Sequence, residues 1–390
     1  MVVTQQLFFK KLPISLNNNA VLLKFAAANY REIKTIRMSK KPMKAFDALQ
    51  EAQKIAFAPF VFQATVSLRE LGIFDYIFEN NTKGGVTIPQ ISKALSLTEY
   101  GIGVLLEIAE SADIVQKDEE GKYELTKIGY FLSYNKMTEA NINLTQDICY
   151  KGLYHLKDAI QNEKPEGLKE LGNWPTIYEG LSQLTTKEQK SWFAFDHYYS
   201  DEIFEEALAT VFKKNPKLIY DIGGNTGKFA AMCCTYNDDI KVHIFDLPGQ
   251  LVKALENAKN KGFENRISGT EIDWLSDNPE IPKGADTIWM SQFLDCFSKE
   301  EILKILGVAV KAMDSETELI IIETYTDRQK YGSAKLTLEA TSLYFTALAN
   351  GNSKMYQAEE FKALVDKAGL VLKTDTKVGD FHTMFVCKKK

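Results

Sequence analysis

Between Asp221 and Gly227 the chain reads Asp-Ile-Gly-Gly-Asn-Thr-Gly, directly after the apolar run Leu218-Ile219-Tyr220. Glycines at 223 and 227 let a backbone come close to a ligand, and Asn225 tolerates the left-handed conformation that a further glycine would adopt. The turn is D-x-G-x-N-x-G rather than the G-x-G-x-x-G of dinucleotide sites. An acid at its head repels a pyrophosphate and welcomes a positively charged amino group. A second acid, Asp246, closes the apolar run Val242 to Phe245, 25 residues after Asp221. That position suits a carboxylate accepting from the hydroxyls of a ribose. A nucleoside with a cationic amino-acid tail meets both demands, which favours S-adenosylmethionine over a dinucleotide.

These residues need strands to carry them. After Pro216 the pattern alternates strand and helix: Leu218 to Ile222, Val242 to Phe245, Thr287 to Phe293 and Glu318 to Thr324 are apolar runs separated by helical segments. Such runs predict an α/β domain with a mostly parallel sheet covered on both faces, binding its ligand at the carboxyl ends of the strands. From Gly129 to Ser200 the pattern is helical and rich in Tyr, Trp and Phe, a composition suited to an apolar pocket with a few hydrogen-bonding groups.

Upstream, apolar residues at helical spacing from Ala45 to Phe78 predict two helices broken near Pro59, the second ending at Gly72. Residues 86–129 then read helix, turn at Ser96 to Thr98, helix, and a β-hairpin with its tip at Glu119-Glu120-Gly121, which is the order of a winged helix. Its second helix is a poor DNA reader. From Val86 to Asp113 there is one base, Lys93, against Glu99, Glu107, Glu110 and Asp113, and a helix without cations cannot neutralise phosphates. A packing or dimerisation role is expected instead.

Charge separates the chain further. The net charge of −5 combines +8 over residues 1–44 with −13 over the rest, so the body repels nucleic acid. Residues 1–37 read either as a basic organelle-type presequence or as sequence preceding a start at Met38. Five scattered cysteines without a C-x-x-C pair, and His155, His197, His243 and His382 without ligand spacing, point to free thiols in a reducing, cytoplasmic setting with no zinc site. No run approaches the roughly 18 apolar residues of a membrane span.

The motifs DIGGNTG, FDLP (Phe245 to Pro248), GTEIDW (Gly269 to Trp274), FLDCFSKEE (Phe293 to Glu301), IIIET (Ile320 to Thr324) and a closing hairpin from about Leu370 to Lys388 follow one another in a familiar order. The chain resembles the class I S-adenosylmethionine-dependent methyltransferases. Within them it is similar to small-molecule O-methyltransferases that carry an N-terminal winged-helix dimerisation domain. The resemblance implies a Rossmann-like sheet of seven strands, the last antiparallel, with S-adenosylmethionine as cofactor, and a homodimer. It implies three parts: a basic tail at 1–44, a winged-helix dimerisation and substrate-lid region at 45–200, and a cofactor domain at 201–390. The implied acceptor is a small, aromatic, secondary-metabolite-type molecule methylated at a hydroxyl.

Residue by residue, the resemblance implies that Asp221, Gly223, Gly224, Asn225 and Gly227 face the methionine moiety, and that Asp246 and the adjacent Leu247 hold the ribose. Asp273 would accept from the adenine amine while Trp274 covers its ring. Tyr199 and Phe195 would face cofactor and substrate, with Phe293 and Met355 on the substrate side. Ser291 stands where many relatives carry a cofactor-side lysine.

The catalytic strip departs from the family, which has His-Asp-Trp after the fourth strand, the His serving as general base. Here Asp295, Cys296 and Phe297 occupy those positions. Glu323, 28 residues beyond Asp295, matches the glutamate that orients the usual base, whereas a second supporting glutamate is replaced by Met355. An ordinary Asp, with a pKa of about 3.9, is a poor base toward a phenol at about 10, unless burial beside Glu323 raises one of the carboxyls. His197, on the helix bearing Phe195 and Tyr199, is the other candidate base. Asp295 has a second reading as an N-terminal feature of the next helix, where Ser298 and Glu301 form a capping-box pair. The missing histidine leaves two alternatives open: methylation at carbon, or a homologue that binds the cofactor without transfer. A winged-helix regulator that senses the cofactor is the reading from another class.

Overall fold

A computed structural model describes residues 43–200 and 203–390. The expectations for residues 1–37 and Met38, and the domain boundary at 201, lie outside the described residues. The chain divides into two compact units, Met1–Ala64 and Thr65–Lys390. Helix α1 (Ala45–Glu70) begins in the first and ends in the second. Pro59 lies inside it, so the break expected there is absent: the lost amide bond is tolerated in a long helix in which the strong helix formers Ala56 and Ala58 precede the proline. The chain turns instead at Gly72, whose φ of 72° precedes helix α2 (Ile73–Asn81).

Helix α3 (Ile88–Leu95) opens on a capping box between Thr87 and Gln90 and ends at Ser96 in the left-handed region. Thr98 caps helix α4 (Glu99–Ser111) through its side chain. Strands β1 (Val115–Lys117) and β2 (Tyr123–Leu125) then pair antiparallel. Asp118 shapes the hairpin tip by accepting from the amides of Glu120 and Lys122 at 2.9 and 2.8 Å. Helices α5 (Lys127–Tyr134), α6 (Lys136–Leu144), α7 (Leu156–Asn162) and α8 (Thr186–Ser200) follow.

The remaining chain builds one seven-stranded sheet. Helix α9 (Phe204–Val211) leads into β3 (Leu218–Ile222), and α10 (Lys228–Tyr236), β4 (Lys241–Asp246), α11 (Pro248–Asn260) and β5 (Ile267–Glu271) alternate after it. Next come β6 (Thr287–Ser291), α12 (Lys299–Ala312), β7 (Glu318–Glu323), α13 (Gly332–Tyr344), α14 (Ala358–Lys367) and the hairpin of β8 (Leu370–Val378) and β9 (His382–Lys389). The order is β5-β4-β3-β6-β7-β9-β8, with β9 antiparallel to its neighbours on both sides.

Alternation along each strand divides the core in two. Tyr220, Ile222, Ile288, Met290, Leu319 and Ile321 pack on one face with Ile302, Ile305 and Leu306 of α12. Ile219, Trp289, Ile320 and Ile322 pack on the other with Ala207 and Leu208 of α9 and Phe229 and Ala230 of α10. Strands buried on both sides read as unbroken apolar runs, which is why they were visible in sequence. A third cluster joins Leu144, Ile148, Ile177 and Leu181 to Tyr344, Phe345 and Leu348, so helices from both halves wall the space above the strand ends. No helix among the described residues is long and apolar enough to cross a membrane.

Candidate active site

Neighbouring strands β3 and β6 run parallel, but their crossovers go to opposite sides: β4 lies outward of β3, and β7 outward of β6. This is a switch point of the sheet, where a crevice opens beyond the carboxyl ends. The glycine loop leaves β3 there and the strip 292–296 leaves β6. A cavity of about 480 Å³ occupies the crevice. Gly223, Asn225, Asp246, Leu247, Asp273, Trp274, Tyr199, Phe195, Phe293, Asp295 and Met355 all line it. Asp221, Gly224, Gly227, Ser291, Glu323 and His197 are not part of that lining.

The glycine loop is built around the two acids. Gly223 takes a φ of 69°, and a Cβ there would lie 2.4 Å from Cδ2 of Phe293. At Gly224 a Cβ would lie 2.8 Å from Oδ2 of Asp221, so the loop passes directly over that carboxyl. Asn225, at a φ of 51°, donates its amide to Oδ2 of Asp246 at 2.7 Å, while Leu247 donates to Oδ1 at 2.7 Å. Burial raises Asp246 to about 6 against the pull of those two bonds. Asp221 has no such compensation: its Oδ2 is buried without a partner, and burial with the nearby charge of Asp246 pushes it to about 8.

The segment 293–296 follows Gln292, whose φ of 48° turns the chain sharply off β6. Its Nε2 donates to the Tyr199 carbonyl at 3.0 Å, and it also pairs with Nε2 of His382, a buried ring that burial lowers to about 4 and keeps neutral. Oε1 of Glu323 then accepts from the amides of Phe293 and Leu294 at 3.2 and 2.9 Å. Asp295 lies in the single 3-10 turn Leu294–Cys296, 6% exposed. It does not cap α12, which Ser298 and Glu301 cap reciprocally. Burial pushes Asp295 up to about 7, with the charge of Asp196 adding to the effect. Burial, followed by the charge of Asp295, holds Glu323 well above the carboxylate range. Two carboxyls in one dry site do not both ionise near neutrality.

Helix α8 presents Trp192, Phe195, Asp196 and Tyr199 to the cavity, at i, i+3, i+4 and i+7. That spacing is one helical face, and it excludes His197. The His197 ring instead stacks with Phe193, centroids 6.1 Å apart. Extending the periodicity from Phe195 and Tyr199 would have found Asp196, which accepts from Nδ2 of Asn225 at 2.8 Å and so ties α8 to the glycine loop. Tyr178 carried no such signal. It reaches the cavity from the short helical turn Ile177–Gly180, with its hydroxyl buried beside the Cys296 thiol.

The residues present fit S-adenosylmethionine. An unpartnered buried carboxyl under a loop too close to tolerate side chains suits a cationic amino-acid group, and Asp246 suits a ribose. Asp273 is exposed at the rim, and the indole Nε1 of Trp274 is buried and unpartnered in the same wall. Trp274 packs edge-on against Phe293 at 6.0 Å. Among the described residues, no group of three or more His, Cys, Asp or Glu is placed to hold a metal ion.

Residues 153–371 match the O-methyltransferase domain family, and residues 50–123 match the Dimerisation2-like domain. The chain belongs to this O-methyltransferase family. It is an S-adenosylmethionine-dependent O-methyltransferase of the class I type. Demethylspheroidene O-methyltransferase of Rhodobacter capsulatus is 25% identical over 72% of this chain and 68% of its own length. Acetylserotonin O-methyltransferase of Bos taurus is 24% identical over 79% and 88%. Among solved structures, an O-methyltransferase from neocarzinostatin biosynthesis, in complex with S-adenosylmethionine and 2-hydroxy-5-methyl naphthoic acid, shares the fold with a TM-score of 0.65. It is 17% identical, and the match covers 84% of this chain and 96% of that one.

Proposed function

We propose that this enzyme methylates a hydroxyl of a small aromatic acceptor, with Asp295 as the proton acceptor. The observation carrying this reading is a buried carboxyl with a near-neutral pKa in the wall of the cavity that also contains Gly223 and Asp246. When bound, S-adenosylmethionine supplies a methyl group already activated on a sulfonium, so alignment of the acceptor supplies much of the rate. Trp192, Phe195, Phe293, Phe297, Tyr344 and Phe345 offer flat apolar walls that orient an arene. Asp221 and the glycine loop hold the amino-acid end, Asp246 and Leu247 the ribose, and Asp273 with Trp274 the base. Ser291, at the end of β6 with a buried and unpartnered hydroxyl, is one further donor on the cofactor side.

Asp295 would take the hydroxyl proton of an acceptor held in this cavity. A base with a pKa near the working pH does this best. Glu323 is a positioning residue: it retains its own proton and fixes the amides that precede Asp295. Met355 packs beside Thr324 where a second supporting carboxyl would stand, and it adds apolar surface in place of charge. Incubation with S-adenosylmethionine and a panel of phenols tests this, with S-adenosylhomocysteine formation that depends on a phenol as the expected result.

The molecule works as a homodimer through its N-terminal region, which folds as a winged helix. The match to a dimerisation domain and the exposed apolar side chains Phe46, Leu49, Ile55, Phe57 and Phe60 on α1 support this. Five free cysteines suit a reducing cytoplasm. The residue division given above, with the dimerisation region at 45–200 and the cofactor domain at 201–390, is the corresponding organisation.

A further inference from the structure

Asp295 is joined directly to the side chain that follows it. The Cys296 thiol donates to Oδ1 of Asp295 at 3.5 Å. Burial, then the charge of Asp295, pushes that thiol well above its usual range, so it keeps its proton and acts as a donor. The Tyr178 hydroxyl donates in turn to the Cys296 sulfur. A chain of bonds thus runs from phenol to thiol to carboxyl, and each one polarises the next.

The backbone around this pair is fixed from two sides. Nδ2 of Asn350, just after the helical turn Phe345–Ala349, donates to the Cys296 carbonyl at 2.5 Å. The Tyr356 hydroxyl donates to the carbonyl of Phe297 at 2.7 Å, while Glu323 holds the amides of Phe293 and Leu294. Cys296 is therefore held with its side chain at the cavity wall, beside the carboxyl.

Among the described residues, the other titratable groups that face Asp295 are Asp196 of α8, Glu323 at the end of β7, Tyr178, Tyr325 and Tyr356. Burial and the charge of Asp196 disfavour the ionised carboxyl. The thiol bond acts in the other direction, because a donor on a carboxylate favours its charged form.

We propose that Cys296 is a positioning residue for the base: its thiol holds the Asp295 carboxyl in place and stabilises the carboxylate, and Tyr178 strengthens the thiol as a donor. The proposal rests on the reading of Asp295 as proton acceptor given above.

The test is infrared spectroscopy of the full chain without ligands, so no acceptor is needed. The C=O stretch of the protonated Asp295 carboxyl, assigned by its loss in Asp295→Asn, is followed from pH 5.5 to 9. It is expected to fade through about 7. In Cys296→Ala the midpoint moves up by about half a unit to one unit, the loss of one weak donor to a charged group. Cys296→Ser, which keeps a donor, restores it, and Tyr178→Phe moves it upward by a smaller amount. The Cys296 S–H stretch, assigned by its loss in Cys296→Ser, shifts to lower frequency as Asp295 ionises and stays in place in Asp295→Asn. That band reads the bond in the unaltered fold even if the alanine variant does not fold. An unmoved midpoint in Cys296→Ala, or an S–H band that ignores the ionisation of Asp295, overturns the proposal and leaves Asp295 as the base. If Asp295 does not titrate in this range, the base reading itself fails, and this proposal falls with it.

Discussion

Glu323 accepts from the backbone amide of Leu294 at 2.9 Å, and the same oxygen takes the amide of Phe293 at 3.2 Å. The end of β7 thereby fixes the turn leaving β6, and with it the residue that follows, Asp295. Glu323→Ala leaves two amides without a partner in a buried place, at a cost of about 1–3 kcal/mol, read as a lower denaturant midpoint together with lost turnover. Glu323→Gln retains an acceptor oxygen and is expected to keep the stability while shifting the pH profile.

The base role proposed for Asp295 requires its ionised form, and burial raises its pKa to about 7. The rate constant kcat/KM is therefore expected to rise with pH through about 7 and then level. Asp295→Asn should lower it by about 10²–10⁴-fold and abolish that limb. Stopped assays from pH 5.5 to 9 measure both. A variant with an unchanged profile would show that no side-chain base is used.

His197 does not line the cavity. His197→Ala should change kcat/KM by less than about threefold, measured under the same conditions as the Asp295 variant.

Four of the five parallel strands, and the acids Asp221 and Asp246, were legible because a strand covered on both faces is apolar throughout and an acid at its end stands out, whereas β5 is largely exposed. The glycine loop was legible for a related reason, since positive φ at 223 and 227 restricts residue choice. Pro59 misled because a local rule was overridden by a long helix. Asp196 was one turn of arithmetic away from Phe195 and Tyr199. Tyr178 was not legible at all: it enters the site from a short irregular helical turn whose position depends on packing of residues 144–184 against 344–349, contacts with no local pattern.

Asp221 is raised by burial to about 8 and so holds its proton in the free enzyme at neutral pH. Pairing with a cationic amino group requires the ionised form. S-adenosylhomocysteine binding at pH 7 should release a proton, and its affinity should increase as pH rises from 6 to 8. Calorimetry in buffers of different ionisation enthalpy measures the release.

The same group makes a stability prediction of opposite sense. Its folded pKa lies above the unfolded value of about 3.9, so its contribution to stability is complete below that value and is lost as pH rises through about 8. Asp221→Asn should raise the melting temperature of the ligand-free enzyme most at pH 8 while weakening cofactor binding. Thermal scans from pH 5 to 8.5 show whether the gain grows with pH.

The central claim is methyl transfer from S-adenosylmethionine to an aromatic oxygen in the cavity between the glycine loop and Asp295. The most direct measurement follows a deuterated methyl group from the cofactor into a phenol, locating it in the product by mass spectrometry and NMR. The expected result is one labelled methyl on the phenolic oxygen for each S-adenosylhomocysteine formed, lost in Asp295→Asn. A label on carbon, or cofactor binding with no label transferred to any phenol tested, would contradict it.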